Sequence, residues 1–518
     1  MEPKRSSFYG VIVLCVVLLS FVSIASAQRY VNVSPGNGTL NAAIAADSLN
    51  RIANPNTWYV LQRGNSSVYV LTSIIQKWGP TPLQIMSSGT GKLPWIQGGV
   101  QTGGVTVDNL FVAYSNLTVR GAYLTGVTTA LTVDQRIMLL EADGVTIRLD
   151  SCEVNLAWQS TIRVDNGHSN VFLTNCKISN MNYRFPGNGR VIDNRGVAID
   201  TVFVQNCSIF RNPYDVYRVT SGVGTIAYCF FDHNTFNEIA RPPVMNFSQV
   251  GRLVFKNNLL VNCSFVGTAS KTAPEAILAA TGGVTSATIK NNCFYLDTAL
   301  IKPAMPDSVT FCALFDSTLQ YNVNQGGTAA TNITAALKFK MAPNDIKVDP
   351  YLVRIDSVTE WFWAIGGPSQ PKQTIFEVDS LQYVNYQYNT DAKAYTGAEG
   401  GYPIGDLNWF PDKKAAWAAN PTAVEQIATI PDEYSLSQNY PNPFNPSTEI
   451  EFGIPKAGRF AVIVYNVLGQ IVREAVNRDF NAGYHKIAFS ASELPSGVYF
   501  YQLRGDRVNM VKKMLLMK

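Results

Sequence analysis

One pattern of apolar and polar positions recurs seven times between residues 117 and 294. Each repeat aligns on a small or amide residue, here called the anchor. The anchors are Ala122, Cys152, Cys176, Cys207, Asn234, Asn258 and Asn292. In every repeat the positions five and three before the anchor and two after it are apolar, and the position two before it is polar. Successive anchors are 24 to 34 residues apart.

This pattern predicts a solenoid of short parallel strands. Alternation within a strand points every second side chain inward, and the change of phase at the anchor predicts a bend after which the next strand faces the same interior. Residues that tolerate unusual backbone angles precede five anchors, namely Ser151, Asn175, Asn206, Asn257 and Asn291. We expect the amide side chains to hydrogen-bond along the axis. The repeat length favours a right-handed parallel β-helix over a β-propeller, whose blades need about 40–50 residues.

Residues 31–76 resemble the beginning of pectate-lyase-like β-helices. In that family a short amphipathic helix covers the first open coil, and here it is predicted over residues 40–51, with Leu40, Ala43, Ile44 and Leu49 on its apolar face. Segments that start at Val348 and Gly401 resemble closing segments of secreted Bacteroidota β-helix proteins. The β-helix domain is therefore predicted to span residues 28–411.

The first 27 residues have the pattern of a secretory signal peptide. Lys4 and Arg5 precede the hydrophobic run 11–24, and the small residues 25–27 follow it. No later stretch reaches about 18 consecutive apolar residues, so we expect no transmembrane segment in the mature chain.

The last 88 residues open with the run PDEYSLSQNYPNPFNPST (431–448) and contain PSGVYFY (495–501). These motifs resemble the type A C-terminal sorting domain of type IX secretion in Bacteroidota-like bacteria. The resemblance implies an immunoglobulin-like β-sandwich over residues 431–518, contact with the secretion machinery, and delivery through the periplasm to the cell surface or medium. Alternation predicts strands at 449–454, 459–466, 485–489, 498–503 and 510–516. A linker is predicted over residues 412–430.

Composition excludes some functions. The net charge is only +4 and charged residues make up 15%, below the usual ~25%. The chain therefore lacks the basic footprint of a nucleic-acid-binding protein. Seven of the eight cysteines follow the signal peptide, at irregular spacing and without a CxxC pair, so we expect most of them to be core residues. No cofactor is predicted, apart from a candidate calcium ion.

Charged residues recur in the strands that precede three anchors. With Ile162, Val164, Ile192 and Val219 inward, five residues should share an outward face on neighbouring coils about 4.8 Å apart. These candidate ligand-binding residues are Arg163, Asp165, Asp193, Arg195 and Arg218. Arginine pairs well with carboxylates, which points to an acidic polysaccharide that contains uronic acids. Asp165 and Asp193 are candidates to hold calcium. The competing interpretation is a cross-strand ion-pair ladder on a solvated face.

The loops at 181–190 and 210–216, with Tyr183, Phe185 and Tyr214, could form the walls of such a groove. Catalytic motifs of known β-helix hydrolases and esterases are missing. The three histidines have no Ser/His/Asp spacing, and His233 is predicted to be a turn residue. Two functions stay open. One is a surface-delivered protein that binds an acidic polysaccharide, with or without cleavage by β-elimination as in polysaccharide lyases. The other is a non-catalytic adhesin or surface-structural protein.

Overall fold

The computed structural model describes residues 28–100, 104, 106–130, 132–181, 188–212, 214–220, 224–239, 243–264, 277–295, 385–419, 434–455, 458–480, 483–505 and 508–517. It also gives the backbone of 333–334, 339–341, 352–355 and 360–363. The predicted signal peptide, the segment at Val348 and most of the predicted linker lie outside the described residues.

Parallel strands form a β-helix of about eight turns, in which three strands follow one another in each coil. The first sheet contains Arg29–Val33, Thr57–Gln62, Leu83–Ser88, Leu117–Arg120, Thr146–Asp150, Ser169–Thr174, Ile199–Gln205 and Thr225–Asp232. The second contains Gly36–Asn37, Val68–Leu71, Trp95–Gly98, Tyr123–Thr125, Glu153–Asn155, Lys177–Ser179, Ser208–Asn212, Thr235–Ile239, Leu259–Val261, Cys293–Tyr295 and Ile333–Thr334. The third contains Ile75–Gln76, Asn109–Ala113, Arg136–Leu140, Ser160–Val164, Arg190–Asn194 and Tyr217–Val219. The long strands Met245–Lys256 and Leu278–Lys290 join the third sheet to the first.

The seven repeats stack in chain order, which confirms the predicted solenoid. Each residue five before an anchor pairs with its counterpart in the next coil, from Leu117 through Ile147 and onward to Ala287. The residues two after the anchors pair in the same way from Leu124 to Phe294. Nearly all of these side chains are buried in one continuous core, because alternation along every strand selects the same side.

The predicted bends are left-handed turns of a single residue. The residue before each anchor has a positive φ in all seven repeats, from 51° at Asn206 to 68° at Gly121. Asn, Ser, His and Gly occupy these positions, and Asn, His and Gly are the types enriched in this conformation.

The hydrogen-bonded amide ladder lies one position later than predicted. Asn258 Nδ2 donates to Asn292 Oδ1 at 3.1 Å, and Asn234 Nδ2 donates to Asn258 Oδ1 at 3.0 Å. Each of these anchor oxygens also accepts a backbone N–H from the preceding coil. The asparagines before the anchors instead point outward, and Asn175 and Asn257 donate to Asp150 and Asp232. The left-handed residue turns its own side chain outward and the next one inward.

The cysteines extend the same interior column. Cys152, Cys176 and Cys207 occupy the anchor positions of three neighbouring coils, and all six described cysteines are buried and free. Burial raises the pKa of the Cys152 and Cys176 thiols well above the ordinary value. They act as small apolar core residues, as expected.

The predicted N-terminal helix is broken at Asp47 into Thr39–Ala46 and Ser48–Ala53. Leu40 and Ile44 are buried against the first coils, but Leu49 is 79% exposed, so the prediction for Leu49 was wrong. The break changes which side chains face the coil. Arg51 is buried instead and donates to the Tyr59 hydroxyl at 3.0 Å.

A segment here called the cover, residues 385–419, packs on the outward side of the second sheet. It consists of the strand Asn385–Tyr388, which pairs with Phe339–Met341, then the 3-10 turns Lys393–Tyr395, Glu399–Gly401 and Leu407–Trp409, and the helix Pro411–Ala418. Gly405 makes the close approach possible, since a Cβ there would lie 2.9 Å from Leu259 Cβ. The segment at Gly401 thus lies along the flank of the coils. The helix Pro411–Ala418 continues this packing, with Trp417 buried beside Leu407.

The C-terminal residues form two antiparallel sheets around a core of their own, which agrees with the predicted β-sandwich. One sheet contains Ser435–Leu436, Ser447–Ile454 and Gly483–Ser490. The other contains Ile471–Phe480, Gly458–Tyr465, Gly497–Gly505 and Val508–Leu516 in that order. Sequence analysis missed the strand Ile471–Phe480, because this edge strand is mostly exposed and does not alternate. A separate antiparallel pair joins Leu352–Ile355 and Glu360–Trp363.

Candidate functional site

The charged residues singled out in the sequence come together on the outward side of the third sheet. The register pairs Arg163 with Asp193 and Asp193 with Arg218, so these side chains lie on three consecutive coils. Ile162, Val164, Ile192 and Val219 are buried, as expected from alternation. We call the charged surface around Arg163, Asp193 and Arg218 the arginine face.

Ion pairs hold the arginine face together. Arg163 Nε lies 2.6 Å from Asp165 Oδ1, and Arg218 Nε lies 3.2 Å from Asp193 Oδ1. Arg195 Nη1 lies 3.5 Å from the other oxygen of Asp193. Asp193 was expected to be accessible but is fully buried, because the two guanidinium groups cover it. It pairs with two arginines and has no surface exposed to solvent.

Three of the arginines keep hydrogen-bonding capacity toward solvent. The side chains of Arg163, Arg195 and Arg218 are 21%, 34% and 22% exposed. Arg163 is bound only through Nε among the described residues, so both of its terminal nitrogens lack a protein partner. Guanidinium groups of this kind present N–H pairs that match the geometry of a carboxylate.

Sequence analysis missed two further arginines of this surface. Arg136 and Arg190 stand at the beginning of their strands, in register with Ser160 between them. Burial, followed by repulsion from Arg163, lowers the pKa of Arg136 to about 10, and burial lowers the pKa of Arg190 to about 10. Both stay protonated at neutral pH. Aligning these strands with one another would have revealed them, since Arg190 stands three residues before Asp193 and Arg136 stands three before Leu139, which pairs with Arg163.

Buried polar atoms without partners surround Arg136. Arg136 Nε, Ser160 Oγ and Gln159 Oε1 have no hydrogen-bond partner among the described residues. Asp134, two residues before Arg136 in the chain, is also buried with neither carboxyl oxygen bonded to the described protein, and burial with the nearby charge of Asp108 raises its pKa to about 9. Asp134 is therefore a neutral carboxyl at pH 7, and it can donate a hydrogen bond. Unsatisfied groups of this kind are unusual in folded proteins.

The carboxylates of the face already have cationic partners. Asp165 and Asp193 pair with arginines, and within the described part of the chain no group of three or more His, Cys, Asp or Glu residues could hold a metal ion. Charge balance therefore does not require a cation here. Calcium binding at Asp165 and Asp193 stays a prediction.

The other residues predicted to line the site do not all lie at the arginine face. Tyr214 lies at the face with its ring 5.8 Å from the Arg190 guanidinium, whereas Tyr183 and Phe185 lie outside the described residues. Phe210 packs on Tyr386 of the cover, beyond the second sheet, so it does not line the face. His233 is a buried turn residue that lies 2.8 Å from Asp232 and packs on Trp417, as the turn prediction implied.

Comparison with known proteins identifies one part of the chain. Residues 438–517 match the model of the family described as secretion system C-terminal sorting domain. Neither curated proteins nor solved structures gave a match. Among the described residues no helix has both the length and the apolar composition needed to cross a membrane. The chain thus joins a parallel β-helix to a C-terminal sorting domain of type IX secretion, and it is exported to the cell surface or the medium.

Proposed function

We propose that this exported β-helix protein binds an acidic polysaccharide, rich in uronic acids, across the arginine face. The observation that carries the proposal is the row of partly exposed guanidinium groups at Arg163, Arg195 and Arg218. An extended polymer lying across the coils would present successive carboxylates to successive arginines.

The electrostatics around Arg136 support the same ligand class. Repulsion from Arg163 contributes to the lowered pKa of Arg136, which indicates that positive charge is crowded at this end of the face. A bound carboxylate would relieve that repulsion.

A purely structural role is the alternative, and a specific observation favours it. Four of the five arginines of the face pair with three carboxylates, at Asp165, Asp193 and Asp215, so much of the charge is balanced within the protein. Such a ladder would strengthen the stacking of coils in an adhesin or surface-structural protein without any ligand.

Binding to a soluble uronate polymer, compared with a neutral glucan, tests the proposal. We expect binding to the uronate polymer only, weakened by salt because the charges are partly exposed. Arg163→Ala and Arg218→Ala should each reduce affinity about 10-fold, as expected when one charge-assisted hydrogen bond is lost. Arg120→Ala is the matched control, since Arg120 also pairs with an aspartate but lies on the first sheet.

Two further measurements test whether the protein also cleaves the polymer and whether it binds calcium. Ultraviolet absorbance of unsaturated uronate products would reveal cleavage by β-elimination, and repeating the assays with a chelator would test the predicted calcium ion. Absence of binding to every uronate polymer, with both variants as stable as the parent, would leave the structural role.

A further inference from the structure

The sorting domain has a second apolar surface besides its core. In the strands Gly458–Tyr465 and Gly497–Gly505, the inward side chains of Val462, Val464 and Tyr501 belong to the core of the sandwich. The alternating side chains point away from it, and at one end of the strands these are the aromatic Tyr465 and Phe500. Farther along, Ile463 is only 6% exposed, and Gln502 and Arg504 are polar.

The neighbouring edge strand continues this surface. In Val508–Leu516, Leu515 pairs with Val498 and Val511 pairs with Gln502, which places both on the outward side. Val511 is 54% exposed, and neither residue belongs to the core of the sandwich. An edge strand that needed only solubility would have polar residues at these positions.

A rigid turn at one end of the sheet adds further exposed apolar side chains. Asn466 Oδ1 accepts hydrogen bonds from the backbone N–H groups of Leu468 and Gln470, both at 3.0 Å, and Gly469 takes the required φ of 76°. The turn so fixed presents Val467 and Leu468, which are 67% and 78% exposed, and Ile471 follows at 63%.

Fixing large apolar side chains in water has no benefit for the folding of the domain. The hydrogen bonds of the turn come from Asn466 and the backbone, so polar residues at 467 and 468 would preserve it. Contiguous apolar surface of this kind is typical of a site for a protein partner, and preorganisation lowers the entropic cost of binding.

We propose that this surface, the apolar face formed by the turn at 466–470 and the neighbouring outward side chains of Tyr465, Ile471, Val498, Phe500 and Leu515, is where a protein of the type IX secretion machinery binds the chain. The proposal depends on the family match of residues 438–517 and is independent of the arginine face. A sorting domain works by being recognised by the secretion machinery, and this surface lies on that domain.

Charge specifies the partner further. Lys513 lies on the edge strand beside Val511 and has no ion-pair partner among the described residues. Lys512 pairs with the core residue Tyr501, so it points to the other side of the strand. Lys513 pairs with Phe500, which places it within the apolar face. The partner surface should therefore be apolar with carboxylates along one side.

Secretion of the full chain tests the proposal in a bacterium that has a type IX system. The fraction of protein at the surface and in the medium is compared with the fraction retained in the periplasm. We expect the double variant Val467→Ser with Leu468→Ser to be exported about 10-fold less, as for the loss of central interface residues. Leu49→Ser is the matched control, because Leu49 is 79% exposed but lies in the N-terminal helix, and it should be exported normally.

Normal export of the double variant would overturn the proposal. Retention has meaning only for a folded protein, so the thermal midpoint of the retained chain is measured as well; surface substitutions usually change stability by less than about 0.5 kcal/mol. If the double variant unfolds, Val511→Glu decides the question. It reverses the charge pattern on the edge strand, and its normal export would equally overturn the proposal.

Discussion

At the scale of the residue, the left-handed bend before each anchor allows the coil to turn without losing its inward face. Gly121, Ser151 and His233 adopt the same φ as the four asparagines although their side chains differ widely. What these positions share is therefore a backbone requirement. The hydrogen bonds made by the side chains vary from coil to coil: Asn175 donates to Asp150, whereas Asn206 Oδ1 accepts from the backbone N–H of Leu407 in the cover.

Ser151 allows this backbone requirement to be measured, because its side chain is exposed and its φ is 54°. We expect Ser151→Val to lower the free energy of unfolding by about 1–2 kcal/mol, the cost of the left-handed region for a residue with a Cβ branch. Ser151→Gly should change it by less than about 0.5 kcal/mol, since glycine adopts this conformation freely. Urea unfolding gives both values. Equal effects of the two substitutions would contradict the backbone explanation.

At the scale of the element, the cover is the feature that periodicity could not reveal. It attaches to the second sheet, and to the ends of the long strands Met245–Lys256 and Leu278–Lys290, through single polar contacts between residues far apart in the chain. Asp406 Oδ2 accepts from Ser208 Oγ at 2.7 Å, Trp409 Nε1 donates to the same hydroxyl, and Glu399 pairs with Lys256 and Lys290. The cover packs over Leu259 and Val261, whose side chains would otherwise be exposed apolar surface.

Asp406 makes the attachment of the cover depend on pH. Burial raises the pKa of this carboxyl from 3.8 to about 6, although the Ser208 and Asn408 hydrogen bonds act in the opposite direction. The folded protein therefore binds this proton more tightly than the unfolded chain does. The contribution to stability is complete below about pH 4 and is lost as the pH rises toward 6, by up to about 3 kcal/mol.

Asp406→Asn should remove this dependence. We expect the variant to gain stability relative to the parent as the pH rises from 4 to 7, because the amide keeps an acceptor for the Asn408 N–H and cannot ionise. Thermal unfolding across this range gives the difference between the two proteins, in which contributions from other carboxylates cancel. Asp412→Asn, at an exposed position in the cover helix, should give a flat difference. A flat difference for Asp406→Asn as well would show that Asp406 ionises freely in the folded protein.

At the scale of the whole molecule, the chain has two large separate cores. The core of the β-helix extends from Val33 to Ile289, and that of the sorting domain extends from Leu436 to Leu516. A protein of this kind can be exported by one module while another performs its function outside. The β-helix and the sorting domain are therefore expected to unfold independently.

Calorimetry of the mature chain should show two transitions. The smaller one should have an enthalpy of about 60 kcal/mol, as expected for a domain of roughly 85 residues. Deletion of residues 431–518 should abolish that transition and leave the other at the same temperature. A single transition that shifts on deletion would mean that the sorting domain stabilises the β-helix.

The sequence by itself determined the solenoid, the stacking order of its coils, the position of the bends and the identity of the sorting domain. Each of these depends on local alternation or on a continuous motif, and local patterns persist in the fold because neighbouring coils repeat the same environment. The outward placement of Arg163 and Arg218 was predictable for the same reason.

Only the tertiary structure decided how buried Asp193 is, that Arg136 and Arg190 join the same surface, and where the cover lies. Asp193 is buried by guanidinium groups from its own and the next coil, and Asp406 meets Ser208 from 198 residues away. Such contacts depend on which outward side chains are close in three dimensions. The identities of the side chains that make these contacts do not repeat from coil to coil, so periodicity does not predict them.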